Sequence, residues 1–248
     1  MIAEPPLIVV TGVAMLLFAA AFLVGDHIHP LRLFMRDRRS AISFGAGISI
    51  AYVFVHLLPE LHLARRELVE AVAAPLPFEG AAIYFLALVG FLLFYGLDHL
   101  RERLSDPAEE EGHAGLSFKL HIGGFAAYVG LMAYLLAQDP QESAALTALY
   151  AVTIAVHFLG VDHSLREEHG LAYQRIGRFV LAGMSLLGWT LGLVATLPAI
   201  VPALLVAFIA GAIIVNSAIM ELPSDKDGRF VPFVTGGLVY GTVLLLVG

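Results

Sequence analysis

The sequence predicts an all-α polytopic membrane protein with eight transmembrane helices, and three observations carry that expectation. First, of 248 residues 59% are hydrophobic and only 14% charged, with a mean hydropathy of +0.84, far more apolar than a soluble domain requires. Second, a hydrocarbon core of about 30 Å takes about 20 apolar residues, and eight such windows follow one another at 6–25, 40–60, 80–100, 117–137, 143–164, 174–197, 199–222 and 230–248. Third, the basic residues alternate between their connections. Almost no chain is left over, so residues 1–248 read as a single transmembrane domain.

Window 1 lacks a basic leader and a small-residue cleavage site, which makes it a retained span. The connection to span 2 holds Arg32, Arg36, Arg38 and Arg39, and that after span 3 holds Arg101, Arg103 and Lys119. Arg166, Arg175 and Arg178 follow span 5, and Lys226 and Arg229 follow span 7. The opposite side has only Arg65 and Arg66. Because Lys and Arg accumulate on the cytoplasmic side, both termini are expected outside. The acidic run "DPAEEEGHAG" at 106–115 falls in a cytoplasmic loop spanning 101–119, a solvated linker. The absence of cysteine excludes disulfides, thiolate metal sites and cysteine nucleophiles.

Spans 2 and 7 contain an internal repeat. With Gly47 set on Gly211, "FGAGISIAYVFVHLLPEL" (44–61) lies over "FIAGAIIVNSAIMELPSD" (208–225) without a gap. Phe44 then matches Phe208, Ala46 matches Ala210, Ile50 matches Ile214, Leu58 matches Leu222 and Pro59 matches Pro223. Span 2 runs inside to outside and span 7 outside to inside, so the copies are antiparallel. That predicts an inverted repeat of spans 1–3 and 6–8 around spans 4–5, an architecture of many secondary transporters.

Ionisable groups in spans are costly and usually face a bundle interior. His56 and Glu60, four residues apart, share a face at the outer end of span 2, with Tyr52 one turn deeper. His121 lies in the inner part of span 4, ahead of Gly123 and Gly124, and His157 is the deepest ionisable group of span 5. Asn216 precedes Glu221 at the inner end of span 7. Asp98, His99, His163 and His169 read as span-end residues in contact with water. Asp162 with Arg166 and His163 with Glu167 stand at helical spacing for ion pairs. For His121 and His157, ligation of an ion and hydrogen bonding between helices both fit the residues.

Together, "FGAGISIAYVFVHLLPEL" with its "HLLPE" (56–60), "AGAIIVNSAIMELP" in span 7, the eight spans, the outside termini and the inverted repeat resemble the ZIP family of divalent-metal (zinc/iron) transporters. The resemblance extends over nearly the whole chain. It implies a metal centre between spans 4 and 5, where the family has His-Asn-x-x-Asp-Gly and His-Glu-x-Pro-x-Glu-like patterns. Here "HIGGFA" (121–126) and "HFLGVD" (157–162) match only in His121 and His157; Ile122, Phe125, Phe158 and Val161 stand where amides or carboxylates are usual. Zn²⁺ takes about four N, O or S ligands, so Asn216, Glu221 and Glu60, with His56 beside it, are the further metal donors. Oxygen donors widen the choice to Mn²⁺ or Fe²⁺.

The expected function is transport of a divalent ion, with no prosthetic group and no enzymatic activity. The alternative is a non-transporting ZIP-like protein with a binding or regulatory role, favoured by the missing carboxylates. An intramembrane zinc hydrolase fits less well. No His-Glu-x-x-His is present, and His157 and Asp162 are about 140° apart on a helix. The expected partners are the lipid bilayer and the ion, with no nucleic acid; the small-residue stretches "GAGIS" (45–49) and "GGLVYG" (236–241) suit packing within the chain or in a homodimer. The expected location is a bacterial plasma (inner) membrane.

Overall fold

The computed structural model describes residues 7–25, 38–71, 81–104, 111–138, 143–195, 197–198, 200–216 and 229–247, and among these all regular structure is helical. Helix α1 is Leu7–Val24, α2 Arg38–Tyr52, α3 Leu58–Ala71, α4 Ala82–Leu104, α5 Glu111–Gln138 and α6 Ala144–Ala172. Arg178–Val194 is α7, Ile200–Asn216 is α8 and Phe230–Val247 is α9. Among the described residues, five stretches are long and apolar enough to cross a membrane: Leu7–Val24, Ser43–Arg66, Ala82–Arg101, Gly115–Gln138 and the 51-residue Ala144–Val194. Ile200–Asn216 and Phe230–Leu246 are apolar but shorter.

Local chemistry explains where the rods bend. Pro59 has no N–H, and its ring presses on the carbonyl four residues back. The chain responds with a π turn over Val53–Leu57, in which the Leu58 N–H reaches the Val53 carbonyl, joining α2 to α3 in one bent rod. The turn carries His56. In the 51-residue stretch Gly170 has φ 49°, ψ −121°, a conformation open to glycine because it has no Cβ. This interrupts the helix between the windows drawn as spans 5 and 6. Helix also continues past the apolar windows, to Ala71 in α3 and to Ala172 in α6. At the stretch expected as the acidic loop, α4 runs to Leu104 and α5 starts at Glu111.

The described residues expose many large apolar side chains and bury a set of polar ones within an apolar core. Leu16, Phe85, Leu171 and Leu246 face outward at 64%, 66%, 66% and 80% exposure, whereas Thr11, His121, His157, Asp162 and Asn216 are buried. Helices satisfy their backbone groups internally, and polar side chains must find partners inside the bundle. Those are the conditions hydrocarbon imposes, and the chain is accordingly consistent with a membrane protein.

Close helix pairs form at glycines. The tightest pairings are α2 with α9, α4 with α8, and α5 with α7, while α1 lies against α6 and α7. A Cβ on Gly47 would strike the backbone of Phe233 and Gly237, and one on Gly211 the backbone of Ala87 and Phe91. Reciprocally, Gly236 lies against the Phe44 carbonyl and Gly90 against the Phe208 carbonyl. Small residues allow backbones to approach so closely. Gly188 meets the Gly130 carbonyl in the same manner where α7 crosses α5. Of the two glycines after His121, Gly124 lies against the Leu97 side chain, while Gly123 faces open space.

Candidate functional site

An aromatic layer fills the middle of the bundle. Phe158 of α6 packs on Phe18 and Phe22 of α1, each with ring centroids 5.1 Å away. Phe94 of α4 sits 5.8 Å from Phe125 and 5.5 Å from Tyr128, both on α5. Three of these four ring pairs meet edge to face and the fourth, Phe22 with Phe158, is tilted, contacts that pack densely. His157 lies within the layer, and its Nε2 is 2.8 Å from the Tyr128 hydroxyl.

Two recesses meet this layer from opposite ends. One, of about 90 Å³, is lined by Tyr52, His56 and Glu60 at the π turn, by Met132 of α5, by Tyr150 of α6 and by Ile213 of α8. Its polar wall is a ring cluster: Tyr52, His56 and Tyr150 have centroids 5.2–5.9 Å apart. The other is small, about 10 Å³, the room of roughly one water; Asp98 of α4, His121 and Phe125 of α5, and Val215 and Asn216 of α8 line it. Asn216 is buried, and its Nδ2 is without a hydrogen-bond partner among the described residues.

Both recesses use the same two helices. On α5, His121, Phe125, Tyr128 and Met132 recur every three or four residues and so share a face. Phe125 borders the small recess and Met132 the large one, seven residues or about 10 Å apart along the axis. On α8, Ile213 borders the large recess and Asn216 the small one, three residues apart on one face. The barrier is thus about two turns thick along α5 and less than one turn along α8, with Tyr128 between the recesses and Phe94 and Phe125 at the edge of the small one.

Beyond the small recess the ends of α4 and α6 converge on His121. His169 Nε2 lies 2.9 Å from His121 Nδ1, and Glu168 Oε2 lies 3.4 Å from the same nitrogen. Arg101 is 3.5 Å from Glu168 and is held by Asp98 at 3.0 Å. On the same end, Asp162 accepts both Arg166 hydrogen bonds, at 3.0 and 3.1 Å, and that of the Tyr173 hydroxyl at 2.6 Å. The spacing-based pairs Asp162–Arg166 and His163–Glu167 (3.3 Å) are both present.

The sequence-predicted residues thus fall into three groups. His56 and Glu60 share the large recess, and His121 and Asn216 share the small one. His157 stands between, hydrogen-bonded to Tyr128, and among the described residues it has no two further His or carboxylate donors close enough to share an ion. Glu221 lies outside the described residues. Sequence reasoning missed Glu168, His169, Tyr128 and Tyr150. For His169 one signal was available: a glycine follows it at position 170, where the helix breaks, so helix extends past the apolar window as far as residue 169. No protein-family model and no curated protein matches the chain.

Proposed function

We propose that the protein is a divalent-metal carrier of the bacterial plasma membrane, similar in plan to the ZIP transporters, with a path between α5 and α8. The observation that carries this reading is the pair of recesses reaching the same faces of α5 and α8 from opposite ends, separated by a thin aromatic barrier. His56 and Glu60 are the outer recruiting residues. His157 is the intermediate donor within the barrier, and His121, Asn216 and Glu221 are the inner ones. A carrier needs such a barrier, since a continuous pore would dissipate the gradient it works on.

Eight spans with both termini outside belong to this reading, spans 5 and 6 being divided at Gly170. The inverted repeat has support in packing. Gly47 crosses α9 at Phe233 and Gly237, and Gly211 crosses α4 at Ala87 and Phe91, while Phe44 and Phe208 take equivalent places against Gly236 and Gly90. The residues matched by aligning span 2 with span 7 are therefore matched in their contacts as well. Repeat units related in this way can exchange environments and open the path alternately to the two sides.

In proteoliposomes the purified protein should take up Zn²⁺, Mn²⁺ or Fe²⁺ faster than empty vesicles do. Glu60→Gln should raise the concentration for half-maximal uptake and leave the maximal rate largely intact, because its role is recruitment. Equal uptake by empty vesicles for all three ions would reject the carrier. A second reading, a non-transporting binding protein, is favoured by one observation, the Tyr128–His157 hydrogen bond that engages the central imidazole; it predicts ion binding without flux.

A further inference from the structure

The end of α6 adds two donors, Glu168 and His169, to one already on the path above, His121. His121 is 2% exposed and Glu168 18%, and the ligand atoms of His121, Glu168 and His169 all lie within 4.8 Å of one another. We propose that these three residues form a divalent-cation site, with Arg101 as a built-in competitor for the Glu168 carboxylate. Its place as the inner mouth of the path rests on the carrier reading; the binding itself does not.

The geometry suits an ion. Tetrahedral ligands at about 2.0–2.2 Å from a metal stand about 3.3 Å from one another, and the observed separations are 2.9 Å between the imidazole nitrogens and 3.4 Å from His121 to Glu168. The two rings need to part by less than half an ångström. Supporting contacts already orient the donors. Ser164 Oγ donates to Glu168 Oε1 at 3.1 Å, so that Oε2 is the oxygen turned to His121. The Phe118 ring packs edge-on against His169, and Phe125 does so against His121. Such outer contacts fix ligand orientation.

Two imidazoles and one carboxylate, with water in the fourth place, favour Zn²⁺, Co²⁺ or Ni²⁺ over Mg²⁺ or Ca²⁺. Arg101 sets the strength. Its guanidinium stands 3.5 Å from Glu168 Oε2 and repels an arriving cation, but Asp98 provides it with an alternative partner. Binding with Arg101 displaced toward Asp98 is weaker than the bare ligand set would give. The result is an exchangeable site.

Co²⁺ titration of the full-length protein in detergent, read by the visible absorption of tetrahedral Co²⁺ and by Zn²⁺ displacement, tests this. His169→Ala and Glu168→Gln should each weaken binding about tenfold or more, and Arg101→Gln should strengthen it, with the Trp189 fluorescence unfolding profile confirming that each variant is folded. His99→Ala, at an exposed position beside Tyr95, should leave binding unchanged. The proposal is overturned if wild type gives no such spectrum, if neither His169→Ala nor Glu168→Gln weakens binding, or if Arg101→Gln weakens it. Binding that behaves as expected without any vesicle flux rejects the carrier and retains the site; flux without Co²⁺ binding here does the reverse.

Discussion

Replacing Gly47 or Gly211 by alanine tests the architecture at the two helix crossings. A Cβ on Gly211 would lie 2.7 Å from both the Ala87 carbonyl carbon and the Phe91 nitrogen, and one on Gly47 2.8 Å from the Gly237 nitrogen and 3.0 Å from the Phe233 carbonyl carbon. Comfortable heavy-atom separations are about 3.5–4.0 Å, so each pair of helices must move apart by about 1 Å. Overpacking of this kind costs typically about 1–3 kcal/mol, and collision with backbone, which cannot rotate away, puts both substitutions at the upper end. Alanine recovers up to about 1 kcal/mol of helix propensity, leaving a net loss of about 2 kcal/mol. For a chain of this length that corresponds to a fall of about 4–8 °C in unfolding temperature. The assay is thermal unfolding in detergent followed by Trp189, the single tryptophan, whose Nε1 donates to Thr11 at 3.1 Å across the α1–α7 contact. Gly183→Ala is the reference, because nothing lies within 4 Å of a Cβ there, and its unfolding temperature should be unchanged or slightly higher. If all three variants unfold together, the close crossings are refuted. A fall at one crossing and not the other would refute their equivalence.

Single cysteines at Leu171, near the end of α6, and Leu197, just past α7, 66% and 41% exposed, should react with an impermeant thiol reagent from opposite sides, Leu171→Cys from the cytoplasm alone; reaction of both from one side contradicts the topology. The double variant His121→Cys/His169→Cys should be bridged by a short cross-linker, whereas His121→Cys/His157→Cys should need a long one, because Tyr128, the partner of His157, is about 10 Å along α5 from His121; the opposite order would contradict the three-level arrangement. Tyr128→Phe removes the 2.8 Å contact with His157 and should lower stability by about 1–3 kcal/mol, the cost of a lost buried partner, measured by the same unfolding assay; no change would mean the bond contributes nothing.

Much of the scaffold was legible because it depends on local chemistry. Apolar windows located the long helices, and Pro59, matched with Pro223 in the repeat, lies just past the Val53–Leu57 π turn in span 2. The i,i+4 pairs of α6 followed from spacing alone. The alignment of Gly47 with Gly211 also identified two residues whose packing is equivalent. Helix ends were harder, since hydropathy marks where lipid stops and not where the backbone stops coiling; "ELHLARRELVEA" (60–71) lies past the apolar window and remains helical on the strength of its helix-forming residues.

The site was less legible, because periodicity gives the face a residue occupies but not the helix that face meets. His121 and His157 were paired on the expectation that spans 4 and 5 align them. The rotation and height of each rod depend on its contacts with other helices, including Gly188 against Gly130 and Gly12 against Trp189. These contacts leave His121 beside His169, 48 residues away, and His157 beside Tyr128. Tyr128 itself could have been read, seven residues after His121 on the same face.

The measurement that bears most directly on the carrier reading is the initial rate of Zn²⁺ entry into vesicles containing wild type, compared with vesicles containing His157→Ala at equal protein content. His157 stands between the two recesses, at the level where an ion leaving one must find a donor before reaching the other. The account predicts rapid entry for wild type and a rate near that of empty vesicles for the variant. Entry at the wild-type rate through folded His157→Ala, or no entry in either, would contradict it.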